Sequence, residues 1–123
     1  MDILVADDEP YVQRSLEFVL KREGFEVVTA INGEDALRKI REFKPKVVFL
    51  DLMMPKMNGF ETCREIKSDP SLKGTYVIIL TAKGQEADRD MGLRAGADNY
   101  ITKPFSPKEI VQMVRSIFER LGR

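Results

Sequence analysis

Short, unbroken apolar runs recur along the chain and stop at polar residues. Ile3 to Ala6 stops at Asp7, Val47 to Leu50 at Asp51, and Val77 to Leu80 at Thr81. A strand that is apolar at every position needs cover on both faces, which a parallel sheet between two helical layers provides. Val27 and Val28 mark a further strand over residues 26 to 30, and Tyr100 with Ile101 a short fifth one.

Between these runs the apolar period lengthens to that of a helix. Pro10 stands where a first helix can begin, Leu16, Val19 and Leu20 form its inner stripe, and Gly24 ends it. Asn32 or Gly33 starts a second helix with Ala36, Leu37 and Ile40 inward and Arg38, Lys39 and Glu42 outward, before Pro45 interrupts it. Pro55 to Gly59 make a turn into a third helix, where Phe60, Cys63 and Ile66 or Lys67 trace the inner and bordering faces. After a polar loop over residues 68 to 75 and the fourth strand, Gly84 opens an irregular region. Met91, Leu93 and Ala95 support a short helix there, which Gly92 and Gly96 weaken or tighten. Pro107 begins the last helix, with Ile110, Val114, Ile117, Phe118 and Leu121 as its stripe. Five strands alternating with five helices predict an α/β fold, an open, doubly wound sandwich with a mostly parallel sheet.

The 123 residues fit one domain. Twenty basic residues balance twenty acidic ones, and neither half of the chain is a basic arm, so direct nucleic-acid binding by this segment is not expected. The absence of His removes the usual imidazole base and the commonest zinc ligand, and one cysteine, Cys63, can form no intrachain disulfide. Its helical spacing reads as packing. Charges at Asp2, Asp7, Asp8 and Glu9 break any leader-like apolar start, and no apolar stretch is long enough to span a bilayer, so membrane insertion is not expected and a cytoplasmic location is.

Parallel strands bring their carboxyl ends together, and open α/β sheets bind ligands in the crevice outside those ends. Asp7, Asp8, Asp51, Thr81 and Lys103 all fall there. Three neighbouring carboxylates repel one another unless solvent, Lys103 or a cation offsets the field. Oxygen ligands without imidazole or thiolate favour Mg²⁺, with Mn²⁺ as a substitute, and the Met53 backbone carbonyl can add a ligand. A carboxylate can also attack phosphorus, and Asp51, which follows the central strand alone, is the candidate nucleophile. Taken singly, each residue has a plainer reading: Asp7 and Asp8 at a helix start, Asp51 or Thr81 as a cap, Lys103 as a surface charge, Tyr100 as a half-buried aromatic.

The ordered stations Asp7-Asp8-Glu9, Asp51-Leu52-Met53-Met54-Pro55 with Gly59, Thr81-Ala82 and Lys103-Pro104-Phe105 are more specific together than any one of them. In these, residues 1–123 resemble a two-component response-regulator receiver domain of the single-domain, chemotaxis-regulator-like kind. The resemblance implies a flavodoxin-like (βα)5 sandwich with strand order 2-1-3-4-5. It implies that Asp51 accepts a phosphoryl group from a phosphohistidine on a sensor histidine kinase or histidine phosphotransfer protein. Asp7, Asp8, Asp51 and the Met53 carbonyl would then hold Mg²⁺, while Lys103 and Thr81 would meet the phosphoryl oxygens. Thr81 and Tyr100 would switch the surface around the fourth helix, fifth strand and fifth helix, within residues 84 to 121, which a downstream protein or attached output domain reads. Phosphorylation-linked dimerisation stays open, as does a contribution of the domain to its own phosphotransfer and dephosphorylation. Asn58 departs from the acidic residue frequent before this glycine, lies outside the metal shell and suits the turn. Lys83, with Met53, stands near the pocket, where it bears on water access.

Two other functions use the same residues. A small metal-dependent phosphohydrolase also employs an aspartate nucleophile beside a cation, but no substrate cap is evident. A receiver-like docking module that works without phosphate would have no need of Asp51 and Lys103 together. Ending near the fifth helix gives the expectation of a single-domain regulator, although the receiver of a longer transcription factor or hybrid kinase would carry the same pattern.

Overall fold

The computed structural model describes residues 1–82 and 86–122, so the readings placed on Lys83 and Gly84 lie outside the described residues. The chain alternates β1 (Ile3–Ala6), α1 (Pro10–Arg22), β2 (Val27–Ala30), α2 (Gly33–Phe43), β3 (Val47–Asp51), α3 (Gly59–Ser68), β4 (Tyr76–Ala82), α4 (Glu86–Arg94), β5 (Asn99–Lys103) and α5 (Pro107–Arg120). The five strands form one parallel sheet in the order β2-β1-β3-β4-β5. This is the doubly wound, flavodoxin-like arrangement that the alternating pattern and the resemblance predict.

Side chains alternate across a strand, so each apolar run divides between two cores. Ile3, Val5, Val47, Phe49, Ile78, Leu80 and Ile101 meet the inner stripes of α1 and α5. Their neighbours Leu4, Ala6, Val48, Leu50, Val77 and Ile79 meet Ala36, Leu37 and Ile40 of α2 and Cys63 and Ile66 of α3. Continuous apolar strands are therefore required, since neither face of the sheet is wet.

Helix ends follow local chemistry. Pro10 opens α1, and its last turn closes through Phe25 N–H to Leu20 O and Gly24 N–H to Lys21 O, with Gly24 at φ +93°. That positive φ explains why the stop is a glycine. Asn32 and Ser106 cap α2 and α5 by accepting the N–H groups of Asp35 and Glu109.

One apolar assignment differs from expectation. Leu121 lies one residue beyond α5 and is exposed, because the helix ends at Arg120 before its stripe reaches that position. Met91 and Leu93 of α4 are also exposed. The helix faces the sheet with Gly92 instead, where a Cβ would stand 3.2 Å from the Ile79 side chain. Close helix-to-strand approach has taken the place of an apolar stripe.

Candidate functional site

Strand register builds the site. Ala6 pairs with both Ala30 and Leu50, so Asp7 and Asp51, one residue on, leave neighbouring strands together. Asp51 pairs with Leu80, which places Thr81 one step further out, and Ala82 pairs with Lys103. Residues from four separate stretches thus meet at one sheet edge without any of them being adjacent in sequence.

Local structure then fixes the loop after Asp51. Gly59 donates its N–H to Leu52 O at 3.1 Å, and a Cβ on it would lie 2.6 Å from Asp51 O. Only glycine lets the start of α3 sit against the backbone of Asp51. Asn58 accepts Glu61 N–H at 2.9 Å while Glu61 accepts Asn58 N–H at 3.1 Å, a reciprocal capping box. The asparagine that departs from the family's frequent acid is therefore the N-cap of α3.

At the centre, oxygens of Asp7, Asp8 and Asp51 all lie within 4.8 Å of one another. Asp7 and Asp51 are buried and Asp8 is exposed, so the cluster opens to solvent on one side. Lys103 Nζ stands 2.9 Å from Asp7 Oδ2, 3.4 Å from Glu9 Oε1 and 3.5 Å from Asp51 Oδ2. Asp7 Oδ2 is fully buried without a well-formed hydrogen bond, so the ammonium is its charge partner rather than an aligned donor. Three carboxylates with one open side fit a small, hard cation that keeps some of its water.

Burial pushes the Asp51 carboxyl up to about 6, and the charge of Asp7 adds to the rise; Lys103 and the Met53 N–H, 3.4 Å from Asp51 Oδ1, oppose it. For Lys103, burial works against the charge. Its close contact with Asp7 and the charges of Asp51, Asp7 and Glu9 outweigh that and hold the ammonium above its ordinary value. At neutral pH the site therefore presents an ionised Asp51 beside a firmly protonated lysine.

A cavity of about 440 Å³ opens over this cluster, lined by Asp8, Asp51, Met53, Thr81, Asp88 and Lys103 among others. Thr81 is buried, with its hydroxyl 3.5 Å from Ile101 O. Met53 points its side chain into solvent at 78% exposure. No side chain caps α1; Asp7 Oδ1 instead accepts Glu9 N–H at 2.8 Å within the loop. Tyr100 stands apart from the carboxylates, half-buried, under the Arg89 guanidinium 5.0 Å from its ring, and Arg89 donates to its hydroxyl at 3.0 Å. Cys63 is buried, and burial pushes its thiol up to about 11, in keeping with packing.

Sequence reasoning did not single out Glu9 as a partner of Lys103 or Asp88 as a wall of the cleft. Glu9 carried a signal, since it follows Asp7-Asp8 directly. Asp88 carried none, because its place depends on how α4 leaves the sheet.

Fold and cleft together define an α/β sandwich with a lysine-bridged acidic site at the carboxyl end of its sheet. Residues 3–115 match the response regulator receiver domain family, and the chain belongs to it: a phosphorylation-dependent signalling module of two-component response regulators. It is 47% identical over 121 residues to the probable transcriptional regulator ycf27 of Pyropia yezoensis, covering 98% of this chain and 49% of that protein. The chain spans about half the length of the first relatives it matches. A putative response regulator from Chloroflexus aurantiacus has the same fold, with a TM-score of 0.90 and 35% identity over 94% of this chain and 95% of that one. The receiver domain of a sensor histidine kinase from Pseudomonas aeruginosa PAO1, solved with magnesium coordinated in its active-site cleft, superposes with a TM-score of 0.86 at 28% identity, covering 94% of each. Among the described residues no helix is long and apolar enough to cross a membrane.

Proposed function

We propose that Asp51 accepts a phosphoryl group from a phosphohistidine on a sensor histidine kinase or histidine phosphotransfer protein. The observation that carries this reading is Lys103 Nζ lying within 3.5 Å of both Asp7 and Asp51 at the edge of a three-carboxylate cluster. An Asp51 oxygen forms the new O–P bond as the P–N bond breaks. The electron pair of that bond passes to the imidazole nitrogen, which takes up a proton and leaves as neutral imidazole. Lys103 receives one phosphoryl oxygen with its charge and Thr81 another with its hydroxyl. Asp7, Asp8, Asp51 and the Met53 backbone carbonyl would hold Mg²⁺, which when bound offsets the negative charge of the carboxylates and the incoming group.

Drawing the Thr81 hydroxyl toward phosphate removes it from Ile101 O on β5. In this reading Tyr100, two register steps away on the same strand pair, turns inward and changes the face made by α4, β5 and α5. A downstream protein or an attached output domain reads that face in the cytoplasm. The same site also assists its own phosphotransfer and dephosphorylation.

Intact-mass measurement after incubation with a small acyl phosphate tests the acceptor. Addition of one labile phosphoryl group, dependent on Mg²⁺ and lost in Asp51→Asn, is the expected outcome. Unmodified wild-type protein that is correctly folded and supplied with Mg²⁺ would overturn it and favour a phosphate-independent docking module.

A further inference from the structure

Gln13 touches none of the carboxylates, yet it holds the backbone that presents them. From the first turn of α1 its amide nitrogen directs its two N–H donors at two carbonyls, Asp7 O at 2.6 Å and Ala30 O at 2.7 Å. Ala30 O is also the acceptor of Asp7 N–H at 3.1 Å. The side chain therefore ties the end of β1 to the end of β2, at the point where the acidic loop begins.

Asp7 is consequently fixed at every polar atom. Its N–H is on Ala30, its carbonyl on Gln13, its Oδ1 on Glu9 N–H and its Oδ2 beside Lys103. Asp7 has no exposed surface, so water cannot readily replace the Gln13 donor. The chemistry is narrow: Asp7 O takes one donor and Ala30 O, already on Asp7 N–H, a second, a carboxylate would repel both, an apolar chain would leave Asp7 O without this donor, and asparagine is one methylene shorter.

We propose that Gln13 is a positioning residue for the cation site, holding Asp7 and Asp8 in the orientation that binds Mg²⁺. This rests on the reading of Asp7, Asp8 and Asp51 as that site. Outer-shell hydrogen bonds that orient metal ligands typically change affinity about 10–100-fold when removed. Gln13 acts through one ligand's backbone, so the lower end applies.

The test is calorimetric Mg²⁺ titration of the wild type, Gln13→Met, Gln13→Asn and Val114→Ala, each also unfolded by urea. Gln13→Met keeps length and shape without donors; Gln13→Asn keeps a solvated amide and guards against loss of folding. Val114→Ala lowers stability from the buried side of α5, away from the site. Weakening of Mg²⁺ by about tenfold in Gln13→Met and less in Gln13→Asn, with wild-type affinity in Val114→Ala, is expected. Folded Gln13 variants that lose stability but bind Mg²⁺ as the wild type does would overturn the positioning role and leave the cation site intact. A wild type that binds no Mg²⁺ would overturn the cation site itself and this inference with it.

Discussion

Asp51 must be ionised to act as a nucleophile, yet its surroundings favour the proton. Burial, with Asp7 beside it, pushes its carboxyl from an ordinary value near 3.8 to about 6 in the metal-free protein. A raised folded-state value means that the folded protein holds this proton more tightly than the unfolded chain. The stability it confers is full below about pH 4 and is lost as pH rises through 6. Asp51→Asn removes the penalty, so in the presence of a chelator the variant is expected to exceed the wild type at pH 7.5 by on the order of 1 kcal/mol. Urea unfolding at pH 5 and pH 7.5 checks this, and a gap that does not widen with pH would contradict it. At this scale the sequence was most informative where chemistry ended an apolar run, as at Asp51 and Thr81. Gln13 and Asp88 were silent because their roles depend on where a helix leaves the sheet, which no local pattern encodes.

Elements position these residues through their ends more than through their middles. The start of α3 lies against Asp51 because Gly59 has no Cβ, and the third helix was legible from the Pro55-to-Gly59 turn without that contact being visible. Gly59→Ala forces an atom to 2.6 Å from Asp51 O, so it is expected to cost about 2 kcal/mol in unfolding and to slow phosphorylation by a small phosphodonor. A variant with wild-type stability and rate would mean that the loop yields freely. The α4 helix shows the opposite limit of sequence reading. Its existence was legible, but its packed face was not, because Met91 and Leu93 are exposed and the tight packing of Gly92 on Ile79 leaves no periodic signal. That helix also carries Arg89, whose contacts with the Tyr100 ring and hydroxyl favour the orientation seen here. Removing a contact of about 1 kcal/mol shifts a two-state balance roughly fivefold. In the proposed switch, Arg89→Ala therefore raises the phosphorylation rate by up to that factor, with a changed fluorotyrosine NMR signal at Tyr100. An unchanged rate and signal would show that α4 does not restrain the ring.

For the whole molecule, the parity of side chains along the strands separates two tasks. The strand interiors make two apolar layers, and polar residues are concentrated at the carboxyl edge, where Asp7, Glu9 and Asp51 surround the Lys103 ammonium and Asp8 completes the carboxylate cluster. A balanced net charge hides this local excess, which is why composition alone gave no hint of a cation and the strand-end spacing did. Folding and cation binding are then coupled, because both must meet the same repulsion. A cation at one hundred times its dissociation constant stabilises a folded protein by about 2.7 kcal/mol when it binds only that state. Lys103→Met removes the resident compensation while keeping an aliphatic chain of similar length. With chelator present it is expected to lower stability by about 2 kcal/mol, since Asp7 and Asp51 lose their charge partner. Mg²⁺ should bind this variant more tightly than the wild type, as no ammonium competes for the carboxylates, so the stability gap should narrow as Mg²⁺ is added. Paired urea titrations with chelator and with saturating Mg²⁺ measure that difference. A gap of equal size in both would show that Lys103 and the cation do not share the carboxylates, and would place the ammonium's role with the phosphoryl oxygens alone.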